Sequence, residues 1–186
     1  MVTSKRKGPM PRKLNFAGGS DIRQGWLNMD LVKLKGVDLV WDGNKTPYPF
    51  PSDQFDEILA NHALEHMDDL LCVMEEFHRI LRPGGKVKVL VPYFASPNSH
   101  RDPTHKIWFT SATFSYFSPN SYYSKARFRV VRKRIIMFSN AGFLKSKWYS
   151  WPFDAIINAT LPVYERFFPY WLPASEVHFE LEVMKR

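Results

Sequence analysis

The sequence predicts an α/β fold: a doubly wound, three-layer arrangement around a seven-stranded sheet, mostly parallel, with an antiparallel C-terminal strand. Three observations point there. Short apolar segments of strand length alternate with a helical pattern early in the chain, as they do when helices cover a parallel sheet. Two of them, Phe55–Ala60 and Val87–Val91, fit strands of a buried parallel sheet, which read as apolar runs. The last, Val177–Met184, instead alternates Val177, Phe179, Leu181 and Val183 with His178, Glu180, Glu182 and Met184. That is a half-exposed strand near an edge.

The expected strands are Lys13–Ala17, Trp26–Leu31, Val37–Trp41, Phe55–Ala60, Lys86–Pro92, Phe128–Phe138 and Val177–Met184. Between Gly19 and Trp26 there are too few residues for a crossover helix, which with its loops takes a dozen or more. Either that helix shrinks to about a turn or the N-terminal segment covers its face. The clearest helix is Asp68–Leu81, with Asp68 as N-cap and apolar residues recurring at three and four; Pro83-Gly84-Gly85 stops it. A second is expected from Thr110, whose hydroxyl can cap, through Ser111–Phe117. Trp148–Leu172 contains Pro152, Pro162 and Pro169 and reads as broken helices. Its aromatics outnumber the needs of one amphipathic face. Core packing, a lid over an acceptor, a homodimer interface and a membrane surface all remain open for them.

The 186 residues, 45 % of them hydrophobic, suit one domain with a real core. Residues 14–186 are assigned to it, behind a basic tail at 1–13. No apolar run approaches the ~20 residues of a membrane span, and the start has no apolar stretch to act as a signal segment. Cys72 alone cannot form an internal disulfide, and its place in a helical pattern predicts a small core residue. A soluble, cytoplasmic protein is the expectation. The net charge of +8 is segregated: Met1–Lys13 and Ser121–Lys147 carry many Lys and Arg and no acid. Such a distribution marks a surface for an anionic partner, or a solubilising tail plus an edge strand shielded by charge.

Four motifs in order carry a more specific message. Leu14-Asn15-Phe16-Ala17-Gly18-Gly19 is a strand breaking into glycines. Asn28-Met29-Asp30-Leu31 ends the next strand on a carboxylate. Phe55 to His66 is a strand ending in Asn61-His62, then Leu64-Glu65-His66. Arg79-Ile80-Leu81-Arg82-Pro83-Gly84-Gly85 follows. Together they resemble a class I S-adenosylmethionine (SAM) dependent methyltransferase of the type 11 group, in a short form. The resemblance implies a Rossmann-like fold and SAM as cofactor. It further implies methyl transfer to a small-molecule, lipid-linked or glycan acceptor, at oxygen or nitrogen.

Carried over residue by residue, the resemblance puts Ala17, Gly18 and Gly19 against the methionyl part. Ala17 stands where a first glycine is common. Asp30, with Leu31 beside it, takes the ribose hydroxyls, and Asp42 takes the adenine amino group, a donor matched to an acceptor-only carboxylate. Asn61 and His62 face the methionyl and methyl groups. Glu65 and His66 stay open between site and helix support.

The densest remaining polar cluster is Ser99–His105, after the strand Lys86–Pro92. His100 or His105 is the candidate base, because histidine titrates near neutrality. Asp102 is the residue to orient it, and Tyr93 and Phe94 are expected to wall the acceptor pocket. The alternative is a loop held by Asp102 turn bonds. No metal is expected, since His62 and His66 are four apart without a His-Glu-x-x-His pattern. No dinucleotide fingerprint or phosphate loop occurs. The competing functions are an RNA methyltransferase using the basic Lys125–Lys147 segment and a non-catalytic SAM-binding partner protein. No appended RNA-binding module accompanies the former.

Overall fold

A computed structural model describes residues 12–138 and 150–185. The tail residues 1–11 and the stretch 139–149, with Lys145, Lys147, Trp148 and Tyr149, lie outside the described residues, as does Arg186. The strands are β1 (Lys13–Phe16), β2 (Leu27–Asp30), β3 (Leu39–Val40), β4 (Phe55–Asn61), β5 (Leu81–Pro92), β6 (Phe128–Ile136) and β7 (Glu176–Val183). They form one sheet in the order β3-β2-β1-β4-β5-β7-β6. β7 runs antiparallel to both β5 and β6, and the other pairings are parallel. The predicted fold class therefore holds. The order reverses between β1 and β4, so the chain has its topological switch point there, where open α/β sheets bind ligands.

Helix α1 (Leu70–Ile80) packs Val73, Met74, Phe77 and Ile80 into the core, while Leu71 is exposed. Phe77 meets Phe16 of β1 edge to face at 4.9 Å, which ties the first strand to the helix layer. The N-cap is Asp69 rather than Asp68. Asp69 Oδ1 accepts from the N–H groups of Leu71 and Cys72, and Asp68 instead pairs with Lys106. Cys72 is exposed, not core; its thiol donates to Asp69 Oδ2 at 3.2 Å. Pro83-Gly84-Gly85 does not end the helix but lies within β5. The β4–β5 register shifts from Phe55↔Leu81 to Glu57↔Lys86, and Gly84 takes the turn at φ +73°. A bulge absorbs the extra residues.

The missing first crossover is settled as a short, helix-free connection. Buried Asn15 donates from Nδ2 to the Asp21 carbonyl at 2.6 Å and to Asn28 Oδ1 at 3.1 Å. Asn28 Nδ2 reaches the Arg23 carbonyl at 3.1 Å. Two side-chain amides thus close β1 to β2 where a helix would stand.

The expected helix from Thr110 is only a 3-10 turn at Thr113–Phe117 without a side-chain cap. Ahead of it, α2 (Pro97–Arg101) is capped by Ser96. The proline-rich segment is broken as predicted, into α3 (Ser150–Ala159) and α4 (Leu161–Phe167). Ile157, Leu161 and Tyr164 are buried, but Phe167, Phe168, Tyr170 and Trp171 are exposed, Trp171 at 84 %. Core packing does not account for those four. The basic strand β6 is the edge of the sheet, which fits charge shielding of an open edge. Arg12 and Lys13 are not tail: they pair with Asp56 and Glu57 at 2.7 and 2.8 Å. Among the described residues no helix is long and apolar enough to cross a membrane.

Candidate active site

At the carboxyl end of β1 the chain turns through Ala17 at φ +48° and Gly19 at φ +55°. Ala17 thus keeps the left-handed backbone that a glycine adopts freely, at about 1–2 kcal/mol for its Cβ. Gly18 is required for a different reason: an added Cβ would run into the Asn15 amide. Over Gly19 no atom of the described residues, its chain neighbours aside, lies within 4 Å of where a Cβ would be, so the backbone is open on that side.

Asp30 closes this corner from β2. Its Oδ2 accepts the Gly19 N–H at 2.7 Å and its Oδ1 the Val32 N–H at 2.9 Å. A carboxylate offers about four lone-pair sites, so acceptor capacity for two ligand hydroxyls is left. Leu31 beside it is 61 % exposed. Asp42, beyond β3, accepts the Asn44 N–H at 3.0 Å and stands 3.9 Å from Lys45 Nζ. A Cβ on Gly43 would meet Phe16 at 2.8 Å, which sets how deep that turn sits. The strand ends thus offer one open glycine backbone and two carboxylates in a row. That arrangement fits an adenosyl amino acid, and nothing in it opposes the group.

Across the switch point a cleft of about 570 Å³ opens at the ends of β4 and β5. His62, Glu65, His66, Arg101, Asp102 and His105 line it, with Glu176 from β7. His62 sits at φ +49°, an uncommon conformation for a non-glycine residue. Its Nε2 is 3.5 Å from Glu176 and its Nδ1 3.2 Å from Glu65. Glu176 first, then Glu65, hold the imidazole cationic against the opposing effect of burial, pushing its pKa up to about 10. Asp102 Oδ1 accepts from the Thr104 hydroxyl at 2.7 Å, and its Oδ2 lies 4.0 Å from His105 Nε2. Thr104 holds the Asp102 carboxyl below its ordinary pKa.

His105 lines the cleft beside Asp102. His100 does not line it. Its Nε2 meets the Phe94 carbonyl at 3.1 Å and its ring stacks on Trp108, so the helical turn of α2 aims it elsewhere. Tyr93 is no pocket wall either, being fully buried with its hydroxyl donating to Glu165 Oε1 at 3.2 Å. Desolvation, with Glu165 nearby, drives the Tyr93 pKa far up. Sequence reasoning missed Glu176. It is simply the first residue of a late strand, and only the sheet order brings it to His62. Arg101 carried no signal beyond its place in the polar loop.

The fold, with this row of strand-end groups, resembles that of class I SAM-dependent methyltransferases of the type 11 group. Comparison with known proteins agrees. The family described as "Methyltransferase domain" matches residues 14–89. A demethylmenaquinone methyltransferase of Lysinibacillus sphaericus is 35 % identical over 75 residues, covering 39 % of this chain and 32 % of the relative. One from Chlorobaculum tepidum is 25 % identical over 151 residues, 75 % of this chain and 60 % of the relative. The chain thus spans about a third of the first relative's length and well over half of the second's. A SAM-dependent methyltransferase structure from Archaeoglobus fulgidus superposes with TM-score 0.56 at 14 % identity, over 93 % of this chain and 86 % of that one. That last likeness concerns the fold. The cofactor of the class is SAM.

Proposed function

We propose that this chain transfers a methyl group from SAM to a small lipophilic acceptor of the quinone or quinol type. The observation that carries the reading is the adjacency of two unlike sites on one row of strand ends. The Gly18-Gly19 and Asp30 corner lies on one side of the switch point, and the His62–His105 cleft on the other. When bound, SAM supplies a methyl carbon already activated by its sulfonium, so the protein's part is orientation and exclusion of water.

In this reading Asp30 holds the ribose diol, Asp42 the adenine amino group, and Leu31 covers the adenosine. The Ala17–Gly19 turn and Asn61 receive the methionyl group. The His62 imidazolium presents positive charge to the methionyl carboxylate. Asp102 and His105 meet the acceptor. The relatives' demethylmenaquinone name supports a lipophilic acceptor, and so do the exposed aromatics after α4. Tyr170 packs edge to face on Phe94 at 5.8 Å, two residues beyond the cleft-lining Pro92. Trp and Tyr suit a boundary that is apolar on one side and wet on the other.

The test is transfer of labelled methyl from SAM to a demethylated naphthoquinol, run beside a glycan and an RNA panel. Label in the naphthoquinol alone is the expected result. Label only in RNA, with binding that weakens by about one power of salt per phosphate, would move the acceptor to the basic β6 edge.

A further inference from the structure

Three side chains of the cleft have a geometry that methyl transfer does not require. Glu65, His66 and His105 each offer one ligating atom, and these atoms lie within 4.8 Å of one another. Glu65 is 1 % exposed. Its Oε1 meets His62 Nδ1, but its Oε2 is buried with no hydrogen-bond partner among the described residues. A buried carboxylate oxygen left alone is costly, and folded proteins rarely tolerate one.

The two imidazoles are arranged to match it. The Thr104 hydroxyl gives its proton to Asp102, so at its 2.9 Å contact with His66 Nδ1 the ring must be the donor. His105 Nδ1 lies 3.1 Å from the carbonyl of Ser99, which only accepts. Both rings therefore donate from Nδ1, which leaves Nε2 as the nitrogen to ligate. Two imidazoles and one buried carboxylate thus converge on one point of the cleft. Imidazoles that donate from one nitrogen to a carbonyl or hydroxyl and ligate with the other are the usual outer-shell pattern of metal-bound histidine.

We propose that Glu65, His66 and His105 bind a transition-metal dication of the Zn²⁺ type, with a coordination position open to the cleft. Two imidazole nitrogens and one carboxylate oxygen suit Zn²⁺ or Fe²⁺ far better than Mg²⁺ or Ca²⁺, which take oxygen. Metal–ligand bonds of about 2.0–2.1 Å place ligand atoms roughly 3.4 Å apart, so each side chain moves in by about an ångström or less. His105 is 39 residues beyond His66 in sequence. No local motif announces the set; the fold assembles it, as the backbone N–H groups of Lys106 and Ile107 both donate to the Glu65 carbonyl. The site stands on these contacts alone and does not rest on the methyltransferase reading.

The experiment is titration of chelator-stripped protein, in a Cys72→Ser background, with Zn²⁺ by calorimetry and with Co²⁺ by visible absorption. One saturable site is expected, with Zn²⁺ displacing the Co²⁺ bands and raising the unfolding temperature. His66→Ala and His105→Ala should each weaken Zn²⁺ by at least about 100-fold, and Thr104→Val, which frees the His66 ring, by ~10-fold. His100→Ala, outside the set, should bind as the parent does. Circular dichroism establishes that each variant is folded. Absence of saturable binding by the folded parent overturns the proposal. So does parental affinity in the folded double variant His66→Ala/His105→Ala.

Discussion

The two halves of the strand-end row are built by different means. On the β1–β3 side, the corner is made from neighbours in sequence: Gly19 to Asp30, Asn15 to Asp21, Asn15 to Asn28. On the β4–β7 side, local pairs such as His62 with Glu65 are joined by contacts that span long stretches of chain. His62 meets Glu176, Thr104 meets His66, and Glu165 of α4 takes the Tyr93 hydroxyl together with the N–H and hydroxyl of Ser111. A local corner forms wherever its motif is written. The distant one exists only if the whole sheet order is right.

The comparison predicts separable failures. Largest is Phe77→Ala, which empties the buried contact with Phe16 of β1. About 3–5 kcal/mol of stability should be lost, read from the denaturation midpoint. Next, Glu165→Ala should cost roughly 2–4 kcal/mol, since three hydrogen bonds go and the Tyr93 hydroxyl is left buried without an acceptor. Yet the surviving folded protein should bind SAM with unchanged affinity by calorimetry. Loss of SAM binding in folded Glu165→Ala would show that the halves are not independent. Gly18→Ala is the mirror experiment: displacing Asn15 should weaken SAM sharply while stability falls by only about 1–3 kcal/mol.

How much was legible follows the same division. The strand order of types, the Gly18-Gly19 turn, Asp30 and the alternation of β7 depend on local pattern, and the sequence displays them. Asp69 displaced Asp68 as cap by one residue, a difference periodicity cannot resolve. Cys72 fell on the exposed side because α1 turns Val73 and Met74 inward instead. His100 and Tyr93 were misplaced because α2 and the path after β5 set their directions, and neither has a sequence period long enough to read. Glu176 was invisible for the same reason.

The smallest expected effect is in pH. Burial opposes ionisation of Glu76, but Arg79 and the Tyr48 N–H outweigh it and hold its pKa below the usual carboxylate value. A carboxyl whose folded pKa is depressed stabilises the fold above its unfolded pKa, near 4.3. That contribution disappears as pH falls through the lower folded value. Glu76→Gln should therefore lower the unfolding temperature at pH 7 and flatten its decline between about pH 5 and 3. Melting curves across that range read it directly, and an unchanged slope would mean that Arg79 holds the Tyr48 loop without the carboxylate's charge.

The central claim is that the β1–β2 corner binds SAM through Asp30, and calorimetric titration of the Asp30→Ala variant tests it most directly. In the proposed reading Asp30 accepts both ribose hydroxyls, so its removal should cost about 2–3 kcal/mol, a roughly 30- to 150-fold weaker dissociation constant. Asp42→Ala should lose less, because in the same proposed reading it gives up one amino-group contact. SAM binding by the parent chain with that loss in Asp30→Ala is the result the account predicts. A folded Asp30→Ala protein that binds SAM as tightly as the parent contradicts it.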